Sequence, residues 1–224
     1  MTTILHIETA TKVCSVALSV DGELKQLQEL KDDGYAHGEQ LTILIQQVFD
    51  LQGITSGMLS AVSVSAGPGS YTGLRIGVST AKGLCYALNI PLISVNTLES
   101  MAAIGKTKYS SHNLCPMIDA RRMEVFSLIV DAQSEILKPV SADVLDEHSY
   151  ADFEPFVCFG DGAVKMQELW ANRQITFDLK LEPSASGQVS LAYQKYLKQE
   201  FEDVAYFEPD YLKEFYQAPA SKKN

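Results

Sequence analysis

The chain has 224 residues, 46% of them hydrophobic, enough for one large domain or two small lobes with real cores. Eighteen Lys and Arg against 28 Asp and Glu leave a formal net charge of −10, which disfavours an independent grip on nucleic acid, since such a grip rests on neutralising phosphates. Cys14, Cys85, Cys115 and Cys158 lie far apart without a CxxC pair and read as buried thiols. No charged-then-apolar leader opens the chain and no apolar run approaches the ~20 residues of a membrane span, so the expected location is the cytoplasm.

The first elements are strands: Ile4 to Glu8, Val13 to Val20 and Leu24 to Leu30, the last two joined at Asp21-Gly22, a strong hairpin signal. Leu41, Leu44, Ile45, Val48 and Leu51 recur at helical spacing and predict a helix over 35–52 that stops at Gly53. A strand from Leu59 to Val64 then runs into a Gly67-Pro68-Gly69 turn and a helix over 71–88. In that helix Gly73, Gly77 and Ala81 clear one face for the close approach of a partner backbone. Pro91 and a short strand, Leu92 to Val95, follow. The polar stretch Gly105 to Asn113 marks the expected boundary between a lobe of residues 1–105 and a lobe of 106–224, with the last residues packing back on the first lobe.

The second half echoes the first. Cys115 to Asp119 is an apolar strand ending in an acid, as Ile4 to Glu8 is; Arg121-Arg122 makes the turn, Glu124 to Val130 the second strand and Glu135 to Pro139 the third. A strand at Phe156 to Phe159, a Gly160-Asp161-Gly162 turn, a helix over 163–171, a strand at Ile175 to Phe177 and a helix over 188–199 complete the pattern. Two acid-ended hairpin units about a hundred residues apart predict a duplicated α/β lobe.

Several catalytic patterns fail. Gly105-Lys106-Thr107 resembles the end of a phosphate loop, but Ser100 stands where the first glycine is needed; Gly67-x-Gly69 with Gly73 misses the dinucleotide fingerprint by one residue; GxSxG and HExxH are absent. His6, His37, His112 and His148 are dispersed, so no metal site is expected. Glu8 and Asp119 end equivalent strands, where paired carboxylates could hold a metal-nucleotide complex. The turns that follow, Thr9-Ala10-Thr11-Lys12 and Ala120-Arg121-Arg122, lack the glycine that lets backbone N–H groups reach phosphates. Glu8, Asp119 and Arg121 therefore read as a vestigial nucleotide site, or as carboxylates that cap turns and pair with Arg121 or Arg122. No residue is assigned a catalytic role.

The stretches ILHIETATKVCSVAL, SAGPGSYTGLRIGVSTAKGL, PLISVNTLE, MIDARRMEVF, GDGA at Gly160 to Ala163 and EPDYLK from Glu208 together resemble the TsaB (YeaZ) family over most of the chain. The resemblance implies an actin/Hsp70-like ATPase fold built from duplicated ribonuclease-H-like lobes, here with a degenerate nucleotide site. It implies a part in making threonylcarbamoyladenosine on tRNAs that read codons beginning with A, as an accessory subunit and activator of the catalytic paralogue TsaD. A third partner, TsaE, joins through that pair, tRNA is met indirectly, and ATP enters only in the assembled complex. The metal-binding HxxxH of TsaD falls here on Thr97 and Met101, and Glu8 stands where most members carry Asp. In the family the helix pair 35–52 and 71–88 binds TsaD or a second copy, which makes His37, Leu41, Leu44, Ile45, Val48, Tyr71, Gly73, Leu74, Gly77, Val78 and Ala81 the expected interface and a homodimer the expected state of the isolated chain. The breadth of the apolar surface on 71–88 fits that expectation. Two competing readings are a stand-alone enzyme, metallopeptidase-like or ATPase, which Thr97, Met101 and the glycine-free turns disfavour, and a homodimeric regulator without a tRNA role.

Overall fold

The computed structural model describes residues 1–31 and 37–212. Strands β1 (Thr3–Glu8), β2 (Val13–Val20) and β3 (Glu23–Lys31) form an antiparallel meander, with β1–β2 register Glu8 opposite Ser15, and Asp21 and Gly22 both at positive φ in the hairpin turn. Strands β4 (Ala61–Ser65) and β5 (Leu92–Val95) add in parallel, giving the order β3-β2-β1-β4-β5. The second sheet repeats this plan as β8-β7-β6-β9-β10, from β6 (Asn113–Asp119), β7 (Glu124–Val130), β8 (Ile136–Val144), β9 (Phe156–Phe159) and β10 (Ile175–Asp178). The duplication and the two-lobed actin/Hsp70-like class expected from the sequence are therefore present in the strand topology.

Helix α1 (His37–Gln52) follows β3, and α2 (Tyr71–Leu88) is the crossover between the parallel strands β4 and β5. The first two residues of the helix expected over 35–52 lie outside the described residues. Ser70 caps α2 with its Oγ on the Gly73 N–H, and Asn89 closes it in the left-handed conformation. Both helices pack one apolar stripe on the first sheet, with Leu41, Leu44, Ile45, Val48, Val78 and Ala81 meeting Leu5, Ile7 and Val62.

Sequence and structure differ at three places. A twelve-residue helix, α3 (Thr97–Lys108), occupies the stretch after β5, so the boundary expected after Gly105 falls inside a helix. Its Asn96 cap accepts from the Leu98 and Glu99 N–H groups, and Leu98, Met101 and Ala102 pack beneath the second sheet; Gly105 is small because the Phe159 ring lies where a Cβ would project. The segment expected as a helix over 163–171 is a 3-10 turn, Asp161–Met166, followed by irregular turns that bury Trp170. Strand β8 runs five residues beyond Pro139, as an edge strand where the missing N–H of proline is tolerated.

The two sheets exchange helices. α3, which follows the first sheet, covers the second, while α4 (Gln188–Lys198), which follows the second, lays Ala192 on Ile4, Ala61, Ile93 and Val95 of the first.

A sealed junction and an open helix face as the candidate functional site

The start of α4 meets β1 and β4 through Gln188. Glu8 is fully buried there: its Oε1 accepts from the Ala10 N–H at 2.7 Å and the Ser65 hydroxyl at 2.9 Å, and its Oε2 has no hydrogen-bond partner among the described residues. Burial pushes the carboxyl up to about 7, against the opposing pull of the Ala10 N–H, Ser65, Gln188 and the Thr9 N–H. Gln188 closes the junction, donating to the Ile7 carbonyl at 2.8 Å and accepting from Ser63 at 2.7 Å. Ser63 in turn bonds His6, whose other nitrogen meets Ser19; burial lowers this imidazole to about 3, so it stays neutral. Beside them the Ala185 N–H donates to Ser15 Oγ at 2.9 Å. Segment 184–188 thus lies over the end of β1 as a plug.

Asp119, at the equivalent end of β6, is exposed. It accepts from the Arg121 N–H and from Lys165 Nζ, each at 2.5 Å, while its own N–H donates to Asp161. Arg121 and Arg122 are exposed, with φ values of 72° and 52°. The two carboxylates expected to share a cleft therefore sit in opposite environments, one dry and plugged, the other wet and ion-paired, and Arg121 touches Asp119 through its backbone. Thr97 and Met101 are both fully buried; Met101 packs in the core of the second sheet against Gly160. Among the described residues no group of three or more His, Cys, Asp or Glu side chains is placed to hold a metal.

The expected interface residues need correcting in detail. Leu41, Leu44, Ile45, Val48, Leu74, Val78 and Ala81 are buried in the chain's own lobe, because the amphipathic stripe of each helix is spent on the first sheet. The clearance at Gly73 and Gly77 also serves an internal neighbour. A Cβ at Gly73 would lie 2.1 Å from the Thr9 carbonyl and one at Gly77 would lie 2.3 Å from Thr9 Oγ1, and Thr9 donates to the Gly73 carbonyl at 2.8 Å. The backbone that comes close is thus the β1–β2 turn. His37 is buried too, with Nε2 2.7 Å from the Thr11 carbonyl.

What faces outward on α2 is a different stripe: Thr72, Arg75, Ser79, Gly83, Tyr86 and Ala87, flanked by half-buried Tyr71. A groove of about 480 Å³ runs along Tyr71, Thr72, Arg75, Ile76, Ser79 and Thr80. Among the described residues, nothing outside its own helix lies within 4 Å of the position a Gly83 Cβ would take, and Tyr86 is 85% exposed. On α1, Ile43 is also exposed. Sequence reasoning found the helix and missed this side of it, although Thr72, Ser79 and Gly83 repeat at helical spacing as a small-residue row.

Two sheets of one topology, joined by exchanged helices around a carboxylate-ended strand, define a member of the two-lobed actin-like class. A family model described as "TsaD: tRNA N6-adenosine threonylcarbamoyltransferase" matches residues 33–221, well over half of the sequence, and the chain belongs to that family. Among the relatives it resembles are TsaB proteins. It is 37% identical over 123 residues to the "tRNA threonylcarbamoyladenosine biosynthesis protein TsaB" of Escherichia coli (strain K12) and 32% identical over 124 residues to that of Haemophilus influenzae, in each case 55% of this chain and 52% of the relative. The match thus spans about half the length of these curated relatives. The solved structure of YeaZ from Pseudomonas aeruginosa superposes with a TM-score of 0.80 at 27% identity, covering 95% of this chain and all of that one.

Proposed function

We propose that the chain is a non-catalytic partner and activator of a catalytic TsaD-type transferase, in threonylcarbamoyl transfer to the adenosine of tRNAs that read codons beginning with A. The relatives' names place the TsaB proteins in threonylcarbamoyladenosine biosynthesis. The observation that carries the accessory role is the outer face of α2. A glycine inside a helix costs about 1 kcal/mol relative to alanine, and at Gly83 nothing in the described chain uses the space that this cost leaves open. A close-packed helix from another subunit would use it. In isolation a second copy takes the same face, and TsaE and ATP join only once the pair is assembled.

The plugged carboxylate supports the accessory reading as well, since Glu8 has no exposed surface on which a substrate could be held. Modification reconstituted from purified transferase, tRNA and this chain tests the proposal. Gly83→Arg, whose Cβ would meet no atom of the described residues beyond its own helix, is expected to leave the fold intact and abolish both the complex and the stimulation. Glu8→Gln is expected to support modification within a few-fold. A Glu8→Gln protein that binds the transferase normally but loses two or more orders of magnitude in rate would assign a catalytic carboxylate instead.

A further inference from the structure

Beyond α4 the chain returns along the first lobe. The Glu202 N–H donates to the Leu92 carbonyl at the free edge of β5, Lys82 of α2 donates to the carbonyls of Ala205 and Phe207, and the Asp210 N–H donates to the Ala66 carbonyl at 2.7 Å. Gly67 is required at this crossing: its φ is +107°, and a Cβ there would fall 2.2 Å from the Asp210 carbonyl oxygen. This route delivers Tyr211 of the EPDYLK stretch onto the first turn of α2. The Tyr71 and Tyr211 rings lie 4.7 Å apart, the Arg75 guanidinium sits 4.0 Å over Tyr71 and 5.9 Å from the Tyr211 ring, and Arg75 Nε donates to the Tyr211 hydroxyl at 3.1 Å.

We propose that Arg75, braced by Tyr71 and Tyr211, is the anchor that receives a carboxylate from the partner subunit docking on α2, and that the returning strap is thereby part of the docking surface. The inference rests on the accessory-subunit reading above and names the chemistry of its contact. The Tyr71 ring face holds the plane of the guanidinium and the Tyr211 hydroxyl occupies its Nε edge. The Nη donors remain, a planar fork matched to a carboxylate. Among the described residues no carboxylate forms an ion pair with Arg75, and the groove beside it is lined by hydroxyl and apolar side chains without an acid. Charge selects among occupants. A second copy related by two-fold symmetry would set the same cation-bearing groove against Arg75, and two chains of net charge −10 repel, whereas a partner helix carrying Asp or Glu supplies the missing charge. Ordering the arginine before the encounter also lowers the entropy lost on binding, which raises the affinity its contact can contribute.

The test is affinity for the immobilised transferase, measured by surface plasmon resonance with the full chain and with each variant's fold checked by circular dichroism. Arg75→Ala is expected to weaken binding by roughly tenfold or more, Arg75→Lys by an intermediate factor because charge survives without the fork, and Tyr211→Ala by about three- to tenfold. Affinity of the unaltered chain should fall more steeply between low and high salt than that of Arg75→Ala. If Gly83→Arg abolishes binding while Arg75→Ala and Tyr211→Ala stay within twofold, the anchor is overturned and the docking face stands. If Gly83→Arg also binds normally, the docking face itself falls. Equal salt slopes for the unaltered chain and Arg75→Ala would likewise remove the carboxylate from the proposal.

Discussion

The two sides of α2 carry the same kinds of residue and put them to opposite uses. On the inner side Gly73 and Gly77 are in contact with Thr9, and the turn they hold leads straight to the buried Glu8. On the outer side Gly83 faces open space and Arg75 is stacked but, among the described residues, pairs with no carboxylate. A glycine in a helix thus has no meaning by itself; its meaning is set by what approaches. The inner side is saturated by the lobe's own backbone, so the small-residue spacing there is a folding requirement. The outer side is the one on which a second protein can act without disturbing the first.

The largest effect that would separate the two sides is expected from Gly73→Val. With a carbonyl oxygen 2.1 Å from the new Cβ, the turn or the helix must move, and stability should fall by about 3 kcal/mol or more in chemical denaturation. A loss below about 1 kcal/mol would show that the inner contact is loose and that Gly73 is free for other uses.

A comparable but pH-dependent effect should come from Glu8, which reports how dry the inner side is. Its folded-state value is raised from 4.5 to about 7, so the folded form binds the proton more tightly than the unfolded chain. The stability this contributes is fully present below pH ~4.5 and is lost as pH rises through about 7, a swing on the order of 3 kcal/mol. Denaturation midpoints followed from pH 4.5 to 8 should show a decline that Glu8→Gln removes. A decline of the same size in both proteins would place the titration elsewhere.

The smallest effect lies on the outer side. Gly83→Ala removes the backbone freedom of glycine without meeting any neighbour, and should raise stability by about 1 kcal/mol, or a few degrees in Tm by calorimetry. A destabilised Gly83→Ala would mean that the isolated chain already covers that position.

The alternating runs of β1 to β3, the Asp21-Gly22 turn and the stripes of α1 and α2 were legible in the sequence because each is a local pattern with one dominant period. Helix α3 was not, since Gly105-Lys106-Thr107 looks like a linker until the Phe159 ring explains the glycine. Helix α2 was legible and its outward face was not. Periodicity marks the apolar stripe, and in a chain that folds by itself that stripe is claimed first by its own sheet. Tyr211 could not be foreseen at all: it stands 136 positions from Arg75, and only the strap's path brings the two together.

The exchange of α3 and α4 between the sheets has a consequence for how the molecule holds together. Each sheet keeps cover from its own half on one face, as α1 and α2 show for the first, and takes the cover of the other face from the opposite half, so the two sheets are coupled in stability. What began as two repeats of one plan is, in its energetics, a single cooperative body, and a chain cut between the repeats would leave each sheet with an apolar face in water.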